Sequence, residues 1–165
     1  MTDTTTTTAQ IYRVYIRATP EAIWEAITSP DWNDRYGYSC KSIYGVTPGS
    51  PYQALANEGM VQMGTPEVVV DGEIIEFDPP RRLVHTYRFH FTPEMVAEGF
   101  TTLTYEIEAE HDGITSLMVT HDVTGAPITA ATVDGTGHGK LAEGGGGWPW
   151  ILSGLKTLLE SGSAL

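Results

Sequence analysis

Three consecutive stretches of the chain alternate apolar and polar residues along their whole length, and that pattern limits the fold more than any other feature. Leu83, His85, Tyr87, Phe89 and Phe91 share one face of the first, with Thr86, Arg88, His90 and Thr92 opposite. In the second, Leu103, Tyr105, Ile107 and Ala109 oppose Thr104, Glu106, Glu108 and Glu110. In the third, Leu117, Val119, His121 and Val123 oppose Met118, Thr120 and Asp122. Side chains of a strand point to its two faces in turn, so each stretch reads as a strand with one dry and one wet side. Such strands in series form an antiparallel sheet open to water on one face. His111-Asp112-Gly113 supplies the turn between the last two.

The dry face needs a cover, and the C-terminal segment offers one. Ile151, Leu152, Leu155, Leu158 and Leu159 fall on a single apolar helical stripe, headed by Trp148 and Trp150. Pro149 suits the first turn, where a missing N–H has no intrahelical partner to lose. Gly162 stands where such a helix would stop.

The first half of the chain supplies the remaining elements. Residues 11–18 alternate as a strand, and Thr19-Pro20-Glu21 opens a helix with Thr19 as N-cap and Ala22, Ile23, Ala26 and Ile27 buried. Ser29-Pro30-Asp31 ends it or caps a short second helix through Trp32 and Tyr36. Residues 38–44 and 52–56 read as short strands about a turn at 48–51. Residues 58–66 fit strand or loop. Residues 67–78 form a longer strand whose parity breaks at Gly72, where a bulge would restore it. Residues 128–133 form a short helical piece, and 135–147 is too rich in glycine to hold one rigid conformation. The class is α+β, with one helix laid along a curved antiparallel sheet.

Charge and composition act mainly by exclusion. The 165 residues suffice for one domain with a real core, expected over 10–165 behind a disordered leader at 1–9. That leader has neither a basic start nor an apolar core, so it is not a signal peptide. No apolar run approaches the roughly 20 residues of a bilayer span. The expected location is cytoplasmic, without membrane insertion. A net charge of −12, with nine scattered Lys and Arg, excludes a phosphate-holding surface and therefore nucleic acid. A single cysteine, Cys40, excludes an internal disulfide and a multi-cysteine metal site. No His-x-x-x-His occurs, and no metal is expected. The stretch Gly135-Thr-Gly-His-Gly-Lys140 fails as a phosphate loop, with Asp134 where glycine belongs and Leu141 where Ser or Thr should hold Mg²⁺. No Gly-x-Ser-x-Gly elbow is present.

Several pieces, taken in order, carry a resemblance. They are Ala18-Thr-Pro-Glu-Ala-Ile-Trp-Glu-Ala-Ile-Thr-Ser-Pro30, Ser42 with Pro48-Gly49-Ser50, and Gly72-Glu-Ile-Ile-Glu-Phe-Asp-Pro-Pro-Arg-Arg-Leu-Val84. Val119-Thr-His121, Gly147-Trp148 and Leu152-Ser-Gly-Leu-Lys-Thr-Leu-Leu-Glu160 complete the set. Together they resemble the START-like (SRPBCC) superfamily with its helix-grip fold, and within it bacterial relatives of the activator of Hsp90 ATPase C-terminal domain. The resemblance implies a hydrophobic cavity between the curved sheet and the last helix, with no metal, no fixed cofactor and no universal catalytic residue. The residues expected to meet a ligand there are Trp32, Tyr36, Tyr38, Met60, Met63, His85, Tyr87, Phe89, Tyr105, His121, Trp148, Leu152 and Leu155. Residues 92–99 read as an added excursion, and 135–147 as a gate over the cavity.

The expected function is binding of a hydrophobic small molecule, a lipid or polycyclic metabolite, by a monomer or homodimer. Two alternatives stand beside it: a cyclase- or aromatase-type enzyme, and a chaperone-associated interaction protein that uses the outer sheet face. His85 and His121 separate the first two. An inward histidine is ordinarily a hydrogen-bonded core residue. Facing one pocket, the pair would move protons near neutral pH or read the polar end of a ligand. Glu58 and Asp71 read as solvated acids.

Overall fold

In a computed structural model of the chain, residues 7–136, 140–141 and 144–165 are described. Seven strands form one antiparallel sheet in the order β1-β7-β6-β5-β4-β3-β2. They are β1 (Ala9–Ile16), β2 (Lys41–Tyr44), β3 (Pro51–Leu55), β4 (Val68–Asp78), β5 (Arg82–Phe89), β6 (Thr101–Ala109) and β7 (Thr115–Asp122). Strands β2 to β7 follow each other in sequence as neighbours, and β1 adds itself outside β7. The three alternating stretches are β5, β6 and β7, with Leu83, His85, Leu103, Tyr105, Ile107, Leu117, Val119 and His121 all buried on the inner face.

Among the described residues, helices α1 (Pro20–Thr28), α2 (Pro30–Asn33), α3 (Glu58–Gln62), α4 (Pro93–Glu98), α5 (Pro127–Val133) and α6 (Gly147–Ser161) accompany the sheet. Thr19 caps α1 by accepting from the Ala22 amide, and Ile23, Ala26 and Ile27 are buried beneath it. Helix α6 buries Trp148, Leu152, Leu155 and Leu158 against the same core. Gly162 ends it in the left-handed region at φ 88°, which a residue with a Cβ enters only at a cost, and its amide bonds to the Leu158 carbonyl. The free edge of β1 is blunted by α6. Lys156 Nζ donates to the Tyr15 carbonyl at 2.6 Å, and Glu160 takes the Arg17 amide at 3.3 Å. A charged cover of this kind stops a bare strand edge from recruiting another chain.

Several expectations need correction. Strand β1 begins at Ala9, and Thr8 already bonds to Val123 and Thr124, so residues 8 and 9 of the expected leader belong to the fold; residues 1–6 lie outside the described ones. Residues 58–62 are neither strand nor loop but a helix, because Asn57 caps it by accepting from the Met60 amide. The bulge expected at Gly72 appears between Ile74 and Glu76, where the register with β5 slips by one. That slip returns Phe77 to the core, edge-on to Trp24. Part of the expected gate, residues 137–139 and 142–143, lies outside the described residues.

Candidate functional site

The inner face of the sheet carries a run of aromatic side chains where aliphatic ones would pack as well. Tyr44 on β2 stacks on Tyr52 of β3, with ring centroids 4.8 Å apart. The Tyr52 ring lies 4.1 Å from His85 on β5, and Tyr87 and Tyr105 lie 6.4 and 6.2 Å from the same imidazole. Trp148, at the head of α6, meets both Tyr105 and His121 edge-on at 6.1 Å. Tyr44 also meets the His85 ring edge-on, with centroids 5.5 Å apart, although β2 and β5 stand three places apart in the sheet. On a flat sheet that separation would be about 14 Å, so the sheet curls to bring the two rings together. Burial, and after it the neighbouring phenols, push the pKa values of Tyr44, Tyr87 and Tyr105 well above the usual value. Burial likewise raises that of Tyr52.

The two histidines are both fully buried, but their bonding differs. At His121 a linear set of donors fixes the ring. Trp148 Nε1 donates to His121 Nδ1 at 3.2 Å, His121 Nε2 donates to Thr101 Oγ1 at 2.8 Å, and Thr101 donates to the Tyr87 carbonyl at 3.0 Å. An indole N–H can only donate, so the proton of the neutral imidazole belongs on Nε2. Both nitrogens are thereby used. At His85, Nδ1 donates to the Thr86 carbonyl at 2.8 Å, and the buried Nε2 has no hydrogen-bond partner. Burial pushes the pKa of each ring down to about 4; at His121 the proximity of His85 adds to this. Both are neutral near pH 7.

Of the other expected ligand residues, Phe89, Leu152 and Leu155 are buried in the same core, and Tyr36 and Trp32 are packed against it. Tyr36 donates to the Ala26 carbonyl at 3.0 Å, whereas Trp32 sits under Arg35, whose guanidinium lies 4.7 Å from its ring. Tyr38 takes on a different task. Its oxygen accepts from the Gly146 and Gly147 amides, both at 3.0 Å, and so caps the start of α6. Met60 packs on the core beside Cys40, its sulfur 3.7 Å from the cysteine Sγ. Met63 points away, 87% exposed at the end of α3, and belongs to no interior wall.

Tyr52 and Thr101 complete the cluster without having been expected in it, and Tyr44, one of the aromatic residues gathered early in the chain, stacks on Tyr52 there. The place of the two tyrosines depends on the β2–β3 register, Tyr44 opposite Tyr52, which two strands of four and five residues do not reveal by alternation. Asp71 is not a free acid. Arg88 grips it with two bonds at 3.1 and 2.9 Å, and His90 meets it at 2.7 Å.

Two hollows open on the surface, about 180 Å³ beside residues 18–20 and 109–115 and about 370 Å³ beside residues 123–134, and none of the expected ligand residues borders either. Among the described residues there is no group of three or more His, Cys, Asp or Glu able to hold a metal ion, and no helix is long and apolar enough to cross a membrane.

Comparison with known proteins places this geometry. The family described as Activator of Hsp90 ATPase homolog 1-like protein matches residues 17–160. No curated protein matches the chain. Among solved structures, protein MLL2253 from Mesorhizobium loti is 18% identical with a TM-score of 0.65, over 93% of this chain and 97% of that one. Protein SSP2350 from Staphylococcus saprophyticus is 17% identical with a TM-score of 0.64, over 96% of each chain. The Aha1 dimer from Colwellia psychrerythraea, solved in solution, is 17% identical with a TM-score of 0.58, over 94% of this chain and 98% of that one. At these identities the likeness is one of fold, an α+β helix-grip.

Proposed function

Given that the chain belongs to the family of Activator of Hsp90 ATPase homolog 1-like proteins, we propose that it binds a neutral, apolar small molecule between the inner face of the sheet and α6. The supporting observation is the gathering of the Tyr44, Tyr52, Tyr87 and Tyr105 rings around the His85 imidazole, whose Nε2 has no partner. A buried polar atom left unpaired costs about 1–3 kcal/mol, a penalty that an aliphatic core would not carry. Concave, mainly apolar surroundings with a few polar tips are the usual make-up of a small-molecule site.

An acid–base enzyme finds less support in the same cluster. His121 has both nitrogens engaged, and a ring held near pKa 4 is a feeble proton acceptor at neutral pH. Contact with a chaperone is suggested by the family description alone.

Titration with Nile red, a neutral apolar dye, tests the proposal. Saturable binding at one dye per chain is expected. Tyr105→Ala, on the inner face of β6, should change the affinity several-fold, while Thr104→Ala on the outer face of the same strand leaves it unchanged. Equal insensitivity of both variants, or sensitivity only to Thr104→Ala, would move the dye to the exterior and overturn the proposal.

A further inference from the structure

The Thr86 carbonyl, which Gly72 of β4 admits at close range, takes one nitrogen of His85 and leaves the other bare. A Cβ at Gly72 would stand 1.9 Å from the Thr86 carbonyl oxygen and 2.6 Å from its carbon, so only glycine lets that carbonyl come so close to β4. The same oxygen receives the His85 Nδ1–H at 2.8 Å. A neutral imidazole carries one proton, and this bond places it on Nδ1. Nε2 is then a buried lone pair with no donor opposite it. It asks for an O–H or N–H and repels nothing but another acceptor.

That requirement narrows the ligand. Carbonyls, ethers and carboxylates cannot donate, and a carboxylate would also lack a counter-charge, since among the described residues no Lys or Arg is buried. An ammonium has the same difficulty, because among the described residues no Asp or Glu is buried either. The surrounding groups are rings, which favour a flat aromatic partner in offset or edge contact. The nearest ring to His85 is that of Tyr52. Tyr52 sits on β3, and its opposite number on β4 is Gly72, which has no side chain to hold it on that side; its other lateral neighbour is Tyr44 of the four-residue edge strand β2. Tyr52 is therefore the wall best placed to move.

The geometry points to a neutral hydroxylated arene as the ligand, its hydroxyl donating to His85 Nε2 and its ring taking the place against that imidazole which Tyr52 fills in this structure. Gly72 and Thr86 act as positioning residues that fix the imidazole proton. The inference rests on the interior binding proposed above and adds the class of molecule bound.

Three matched probes test it by calorimetry on the full chain: 2-naphthol, which donates; 2-methoxynaphthalene, which has the same ring but cannot donate; and 2-naphthoate, which is anionic. The expected order is 2-naphthol about ten-fold tighter than 2-methoxynaphthalene, the effect of one buried hydrogen bond, with 2-naphthoate weakest. His85→Leu should reduce the naphthol preference to within about two-fold while 2-methoxynaphthalene still binds, an acceptor-specific loss of the same bond. Should that variant fail to fold, the wild-type chain answers alone. The ¹⁵N resonance of His85 Nε2 should move on adding 2-naphthol and stay in place with 2-methoxynaphthalene. Equal affinity for the two neutral probes, or an unmoved Nε2 resonance, overturns the role of His85 while interior binding stands. Absence of binding by either neutral probe overturns both.

Discussion

Lowering the pH from 7 to 5 should weaken the fold sharply, because His85 and His121 are buried as neutral rings. Each has its pKa pushed from 6.5 to about 4. Protonation therefore favours the unfolded chain: the stability is fully present above about pH 6.5, declines as the pH falls toward 4, and stops declining below that. At pH 5 nearly every exposed imidazole is charged while the buried ones remain neutral, a difference of about 2 kcal/mol for each ring, or about 4 kcal/mol for both. Against a typical total of about 5–15 kcal/mol this is a large fraction. At His121 the reason is visible in the bonding, since a proton on Nδ1 would face the Trp148 N–H. The assay is urea unfolding at pH 7, 6 and 5, comparing the wild-type chain with a His85→Leu/His121→Gln double variant. Glutamine keeps one acceptor for Trp148 and one donor for Thr101. The wild type should lose about 4 kcal/mol more than the variant over this interval. Parallel losses in the two proteins would refute the assignment of both rings as neutral and buried.

Trp148→Phe keeps the ring but removes the donor to His121, leaving an unsatisfied buried nitrogen; a loss of about 1–3 kcal/mol in urea unfolding is expected. Leu155→Ala, at a site 1% exposed, should cost about 2–5 kcal/mol. Met63→Ala, on the surface, should stay within about 0.5 kcal/mol by the same measurement. Tyr38→Phe frees the Gly146 and Gly147 amides and should lower stability by about 0.5–2 kcal/mol, with faster amide exchange confined to the start of α6.

What the sequence revealed follows the reach of each signal. The alternation of β5, β6 and β7 is long enough to set a face, so His85, Tyr87, Tyr105 and His121 were placed inward correctly. The α6 stripe worked for the same reason, its Leu152, Leu155 and Leu158 being buried. The β2–β3 hairpin is too short for that, and Tyr52, the ring nearest His85, escaped notice. Met63 lies outside the interior because Asn57 caps a helix there, and a five-residue helix is too short to show a periodic pattern in the sequence. No local pattern could have given the contact between Gly72 and the Thr86 carbonyl, since it depends on two strands meeting. Gly72 drew attention only as a break in parity. That His85 Nε2 has no partner depends on every element packed around it, and so the most informative atom of the cluster was invisible in the chain.

An NMR titration with 2-naphthol tests interior binding most directly. If the cluster beneath α6 is the ligand site, the Trp148 indole N–H and the ring signals of Tyr52 and Tyr105 shift together and saturate at one ligand per chain. Shifts confined to Thr104, Glu106 or the surface hollow beside residues 123–134, with the Trp148 indole unmoved, would contradict it.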